Sequence, residues 1–324
     1  MGVSGTGSNK IYYINELGYS DGYHKFDNHR LPQAYIDYLS WFSLSYNSTS
    51  LIKPNDILIF QTPTNNELGK LELINSFLDT NTVFITQESS IFDWFDWPAK
   101  EQELYINILS KCKAFLYHNE YDKKVIEVFS NNFIKYPGCT NISLEQPKTF
   151  KDGEYILLPN PIKRFHRGMI SHKLASEIVT DIPIYSMKYT PPKNYPLSFP
   201  DEYKLPNIEL KDRTDVDGWL NLIYNSKFGI DINREFSGGN CVLEFGSLAT
   251  PLIGNINLDT QRDIFPDLSF EFNDYNNIKK VINLLLNDKD FYEEVSLKAL
   301  NNTKEKYNSV KIVEQFKQDI QKLL

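Results

Sequence analysis

No run of apolar residues in this 324-residue chain is long enough to cross a bilayer, which takes about 20 in succession. The N-terminus carries no apolar signal-peptide core either. Cysteine is scarce: Cys112, Cys139 and Cys241 form no Cys-x-x-Cys pair and no His–Cys ligand spacing. That excludes a disulfide framework and a structural zinc, and it points to a reducing compartment, expected to be the cytoplasm. Positive charge is not in excess, since 34 Lys and Arg face 42 Asp and Glu for a net charge of −8. A generally basic nucleic-acid binder is excluded; a local basic groove is not. No metal and no permanently bound cofactor are expected.

What is present is enough apolar and aromatic side chain for one large or two ordinary domains. The abundance of Asn, Lys, Ile, Tyr and Phe has the look of an AT-rich genome. Residues 1–9 are Gly/Ser-rich and read as a flexible tail. They imitate a phosphate loop, but no strand precedes them and no Gly-Lys-Ser/Thr closes them.

Short apolar runs then alternate with helical patterns. Strands are expected at Ile11–Ile14, Asp56–Gln61, Thr82–Thr86 and Lys113–Tyr117. Helices are expected at Leu31–Tyr46, Glu67–Leu78, Glu101–Ser110 and Asp122–Asn131. A polar Lys/Pro/Gly stretch, Leu144–Gly153, reads as a linker. The pattern restarts with strands at Glu154–Leu158, Ile182–Ser186, Phe228–Ile232 and Pro251–Gly254, interleaved with helices. The expected class is α/β, with two Rossmann-like domains facing each other across a cleft. The expected boundaries are 10–148 for an N-terminal acceptor domain and 153–300 for a C-terminal nucleotide-sugar domain. Residues 301–324 are expected to form a helix that packs back on the first domain.

The most informative stretch is Arg234-Glu235-Phe236-Ser237-Gly238-Gly239-Asn240-Cys241-Val242-Leu243-Glu244, followed by Thr250-Pro251-Leu252-Ile253-Gly254-Asn255. It leaves an apolar strand, turns at two glycines and enters a short helix. Glycine admits a ligand close to the backbone, and the helix start offers N–H donors and partial positive charge to a phosphate. Glu244 lies about one turn into that helix, roughly 6 Å along its axis, the span from a diphosphate to its ribose. A plain turn with an acidic dipole partner has the same local sequence.

These residues, in this architecture, resemble the GT-B glycosyltransferases, and glycosyltransferase family 4 in particular. That family has a strand, an acidic-Gly-Phe-Gly turn, a helix bearing a glutamate and a Gly-Thr-Pro-Val-Ile strand. Here Glu235 to Glu244 and Leu248-Ala249-Thr250-Pro251-Leu252-Ile253-Gly254 form a divergent version, with one residue more between the glutamates and Ala249 in place of glycine. The resemblance implies Glu235 near the donor sugar and Glu244 on the ribose. It implies that Gly238, Gly239 and Asn240 receive the diphosphate. It also assigns Lys163, Arg164 and Arg167, with Arg167-Gly168 in the place of Lys-Gly, to a clamp on that diphosphate. In the first domain it brings Gly18 and Gly22 near the donor phosphate and Glu88 near the acceptor, where a carboxylate is a candidate general base. His118 follows the next strand at an acceptor-side position. The aromatic cluster Asp93-Trp94-Phe95-Asp96-Trp97 offers Trp94 and Trp97 as sugar- or base-stacking faces, or else as a core edge. Asp215-Val216-Asp217 matches a metal-chelating Asp-x-Asp but directly precedes a helix, so capping explains it better.

The expected activity is transfer of a hexose from a nucleotide-diphosphate sugar, UDP-glucose or a related UDP-sugar, to an acceptor hydroxyl. Bacteriophages carry GT-B enzymes that modify DNA by glycosylating hydroxymethylated bases, so the acceptor is such a base or a saccharide. Two other readings share the shape: a non-catalytic two-lobed binding protein and a nucleotide-sugar epimerase. Stereochemistry stays open, since the resemblance leans to retention and a base at Glu88 to inversion.

Overall fold

Runs such as Ile57-Leu58-Ile59-Phe60 and Tyr155-Ile156-Leu157-Leu158 are apolar at every position, which suits strands buried on both faces of a parallel sheet. The computed structural model describes residues 10–14, 43–44, 52–62, 68–87, 94–95, 97–140, 146–150, 153–160, 169–179, 181–188, 207–212, 214–232 and 239–324. Two six-stranded sheets result, and every strand pair in them is parallel.

The first sheet holds β1 (Ile11–Ile14), β2 (Ser43–Leu44), β3 (Ile57–Thr62), β4 (Thr82–Gln87), β5 (Ala114–Tyr117) and β6 (Phe133–Lys135), in the order β2-β1-β3-β4-β5-β6. Its described helices are α1 (Leu68–Phe77), α2 (Ala99–Lys111) and α3 (Glu120–Ile126). The second sheet holds β7 (Tyr155–Leu158), β8 (Ile184–Met187), β9 (Ile208–Lys211), β10 (Ser226–Asp231), β11 (Leu252–Asn255) and β12 (Ser269–Phe270), in the order β12-β11-β10-β7-β8-β9. It carries α4 (Met169–Ile178), α5 (Val216–Asn225), α6 (Asn240–Ser247), α7 (Asp259–Ile264), α8 (Tyr275–Asn287) and α9 (Lys289–Lys306), and the chain continues into α10 (Ser309–Leu323). None of the described helices is long and apolar enough to cross a membrane.

The expected helix over 31–46 is corrected at its end, because Ser43 and Leu44 pair with Tyr12 and Tyr13 as β2. The short strands β6, β9 and β12 are additions to the sequence reading. β9 is a half-exposed edge strand, Ile208-Glu209-Leu210-Lys211, whose brevity leaves little periodic signal.

The two faces of the first sheet are covered differently. Leu58, Phe60, Val83, Ile85 and Phe115 pack with Leu71 and Ile74 of α1 and with Tyr105 and Ile108 of α2. The alternate residues Ile57, Ile59, Phe84, Ala114 and Leu116 point to the opposite face, where Val313, Phe316 and Ile320 of α10 join them. Each of those three side chains contributes about 1.5–3 kcal/mol by leaving water. The final helix therefore completes the core of the first sheet.

The sheets also meet through Asp259, whose side chain is 4% exposed. It accepts the Glu120 backbone N–H at 3.1 Å, at the start of α3, and pairs with Lys135 at 3.2 Å and Arg262 at 2.6 Å. Its own backbone N–H donates to Asn119 Oδ1 at 3.3 Å. A second crossing runs through Thr140, whose N–H donates to the Tyr307 carbonyl at 3.0 Å and whose carbonyl accepts from Ser309 N–H at 3.3 Å. Beside the first crossing, Asp122 is buried, with Oδ1 lacking a hydrogen-bond partner and Oδ2 accepting from Asn119 Nδ2 at 3.4 Å. Burial above all, then repulsion from Asp259, pushes its carboxyl up to about 7.

Helix α6 ends at a non-glycine residue in the left-handed region, Ala249, with φ of 50°. The residue is fully buried and opens the turn into β11. A left-handed alanine costs about 1–2 kcal/mol, more than the roughly 0.5–1 kcal/mol of added chain entropy that glycine brings. Ala249→Gly is therefore expected to raise unfolding stability by about 0.5–1 kcal/mol in a urea titration; a loss of stability contradicts the strain. Asp122 gives a pH signature. Its folded pKa lies above that of an unfolded aspartate, near 3.9, so its stabilising contribution is full below about pH 4. It is lost as pH rises through about 7. Asp122→Asn should flatten the fall in melting temperature between pH 5 and pH 8, and equal slopes in both proteins would rule out a buried neutral carboxyl.

Candidate functional site

Parallel strands aim their carboxyl ends the same way, and a ligand crevice opens where neighbouring strands send their connections to opposite sides. In the second sheet that point lies between β7 and β10. From β7 the chain runs outward to β8 and β9, then returns to β10 and runs the other way to β11 and β12. The strand ends are tied together there: Asn160 Nδ2 donates to Asp231 Oδ1 at 2.6 Å. Ser171, in the first turn of α4, accepts the Ile232 N–H at 2.8 Å and donates to its carbonyl at 3.2 Å. Neither tie was legible in the sequence, because each joins residues more than sixty positions apart.

After β10 the chain enters α6 through Gly239, which has φ of 74°. A Cβ at this position would collide with the Thr260 side chain. Both the backbone conformation and the close approach therefore require glycine. Two polar oxygens at this helix start, Asn240 Oδ1 and Thr260 Oγ1, are buried without a hydrogen-bond partner. Among the described residues neither oxygen finds a donor, so both stand available at the helix start. One turn further on, Glu244 is only 8% exposed, and its Oε2 accepts from the indole Nε1–H of Trp219 at 2.7 Å. The helix is fixed from behind, where Gly246 packs against Thr303 and Ile264 and Phe245 lies over Gly229 of β10. Expected donor residues Gly239, Asn240 and Glu244 thus share one short helix beside the switch point.

The remaining donor-side candidates Gly18, Gly22, Lys163, Arg164, Arg167 and Gly238, and the carboxylates Glu88 and Glu235, lie outside the described residues. By chain position, Gly18 and Gly22 follow β1. Glu88 directly follows β4, and residues 163–167 follow β7.

The acceptor-side candidates are placed in the first domain. Trp94 and Trp97 are 2% and 7% exposed and pack on Tyr105 with ring centroids 5.7 and 5.6 Å away. Stacking on a sugar or base needs an open face, which these indoles do not offer. The core-edge alternative accounts for both, and the exposed aromatic of the segment is Phe95, stacked on Trp94 at 4.5 Å. His118 is buried, with Nδ1 2.6 Å from the Tyr136 carbonyl. That contact fixes the Nδ1–H tautomer and ties β5 to the residue after β6. Asp215 accepts the Gly218 N–H at 2.8 Å as the N-cap of α5, so its pairing with Asp217 is capping geometry. Among the described residues no group of three or more His, Cys, Asp or Glu is gathered as a metal site.

No protein-family model matches the chain, and no curated protein matches its sequence. Solved structures do. TarM from S. aureus, solved with fondaparinux, alpha-GlcNAc-glycerol and UDP, superposes with a TM-score of 0.67 at 17% identity, covering 84% of this chain and 57% of that one. A sucrose-phosphate synthase from Thermosynechococcus elongatus gives 0.67 at 12% identity, over 97% of this chain and 99% of that one. The pneumococcal O-GlcNAc transferase GtfA, in complex with UDP and GlcNAc, gives 0.60 at 10% identity over 90% of this chain and 60% of that one. The chain thus spans little more than half the length of TarM but nearly all of the synthase. At these identities the likeness is one of fold, and the fold of this chain is the two-domain GT-B arrangement of the glycosyltransferases.

Proposed function

We propose that this protein is a glycosyltransferase that moves a sugar from a nucleoside-diphosphate sugar, a UDP-sugar in the first instance, to an acceptor hydroxyl. The observation that carries this reading is the α6 unit: a left-handed glycine, a helix start with unsatisfied polar groups, and a buried carboxylate one turn in, all beside the switch point of the second sheet. Support comes from TarM and GtfA, which share the fold and were solved with UDP.

In this reading the α6 amides and the hydroxyl of Thr260 bind the diphosphate, with Lys163, Arg164 and Arg167 as counter-charges and Gly238, Gly18 and Gly22 allowing close approach. Their chemical work is to stabilise the negative charge that builds on the leaving diphosphate as the sugar bond breaks. Glu244 accepts hydrogen bonds from the ribose hydroxyls, Glu235 faces the donor sugar, and Glu88 takes the acceptor proton. Closing the domains excludes water and so limits donor hydrolysis.

The acceptor is read as a saccharide or polyol hydroxyl. The net charge of −8 opposes a DNA backbone, and the ligands and names of the fold neighbours are carbohydrate ones. Thermal shift with UDP, followed by transfer from labelled UDP-sugars to oligosaccharides, glycerol and hydroxymethylated DNA, tests the whole reading. UDP should raise the melting temperature, and label should reach the carbohydrate arm. Label on the DNA arm alone would replace the acceptor; no response to any nucleoside diphosphate would end the donor reading. Glu244→Ala should weaken UDP binding by about 10- to 100-fold, the loss of a charged hydrogen bond.

A further inference from the structure

We propose that the Thr260 hydroxyl reads the second phosphate of the donor, so that the site takes a nucleoside diphosphate in preference to a monophosphate; this rests on the donor-site reading above. Thr260 lies in α7, and both of its chain neighbours are committed elsewhere. Asp259 is held by the Glu120 N–H, by Lys135 and by Arg262. Gln261 donates its Nε2–H to the Leu252 carbonyl at 2.9 Å and to the Leu268 carbonyl at 3.3 Å. These ties fix the backbone on either side. Thr260, between them, is 2% exposed, and its Oγ1 has no hydrogen-bond partner.

That hydroxyl lies against Gly239, where an added Cβ would land on it. Gly239 is the N-cap of α6, the position from which a side-chain oxygen ordinarily serves the first turn, and as glycine it makes no such bond. The Thr260 hydroxyl, brought in from the next helix, takes the place of that missing side chain. It can accept from an amide or donate to an anion, and among the described residues it does neither. A buried hydroxyl without a partner costs stability, and valine would fill the same space without that cost. Phosphate oxygens are acceptors and are favoured at a helix start, so they complete the group. Threonine reorients about a single bond, so donating to such an oxygen leaves the α7 backbone in place. The position along the helix selects which phosphate is met. Gly239 precedes Glu244 by five residues, about 7.5 Å along the axis. With the ribose at Glu244, a donor standing at Gly239 meets the phosphate farther from the ribose.

The test is calorimetric binding of UDP and UMP to the full chain, to Thr260→Val and to Thr260→Ser, with the melting temperature of each ligand-free protein. The wild-type chain should bind UDP about 100-fold more tightly than UMP. Thr260→Val should lose about tenfold in UDP affinity, the worth of one hydrogen bond to a charged group. Its UMP affinity should not change, because the hydroxyl is idle in that complex. Thr260→Ser keeps the hydroxyl and should keep the preference. Ligand-free Thr260→Val should melt no lower than wild type, since the group it removes had no partner. A lower melting temperature in that variant marks a structural hydroxyl and overturns the assignment. Equal losses for UDP and UMP, an undiminished preference in Thr260→Val, or a wild-type chain that binds the two nucleotides equally also overturn it, and all leave the donor site standing. A wild-type chain that binds neither nucleotide removes the donor site and the assignment together.

Discussion

Every strand in the described chain pairs parallel, and a parallel sheet must be covered on both faces. Much else follows from that constraint. Parallel neighbours need crossover helices, so each sheet is layered between helices and exposes only its ends. The carboxyl ends carry the free loops, and all the chemistry read for this chain sits there. The same constraint explains α10. The described helices α1 and α2 pack on one face of the first sheet, and Val313, Phe316 and Ile320 from the far end of the chain pack on its other face. Covering a sheet and joining two domains are here one act of burial.

Inside the second domain the governing cost is that of a carboxylate out of water. Glu244 stands in a helix of eight residues, six of them buried. Such a group persists only where donors reach it. The Trp219 indole supplies one from a neighbouring helix, and the Asp215 cap, with the Tyr155 and Thr250 hydroxyls on the Leu222 and Ile223 carbonyls, keeps that helix in place. The polar groups at the start of α6 are, by contrast, left unsatisfied. Among the described residues Asn240 Oδ1 and Thr260 Oγ1 keep no partner, and they stand at the end of the helix beside the switch point.

The central strands were readable because continuous apolar runs have one common use. The strands of two or three residues, β2, β6 and β12, were not, since so few residues hold no period, and neither was β9, an edge strand whose polar, half-exposed residues lack the apolar run of the central strands. The Gly239 turn and Glu244 were readable because the signal is local: strand, glycine, helix, carboxylate. Asp259, Asn160 with Asp231, and Trp219 were not, because their meaning lies in partners 139, 71 and 25 residues away. As single residues they read as a helix-dipole acid, a loop amide and a core aromatic. Trp94 and Trp97 failed the other way, since aromatic density looks the same whether the rings bind or pack. Ala249 was visible as a departure from the family pattern, but only its φ of 50° turns that departure into strain.

The covering of the first sheet by α10 also has a consequence in time. A ribosome delivers Ile57, Ile59, Phe84 and Leu116 long before Val313, Phe316 and Ile320. At about 5–20 residues per second the gap is on the order of ten seconds or more. Throughout it, the face that Val313, Phe316 and Ile320 pack against lacks those three side chains while the second domain is still being made. The native contacts that close it are among the most distant in the sequence, the class that forms slowest. The first half of this protein is thus synthesised early but finished last, and the nascent chain is the form most exposed to chaperones and to aggregation.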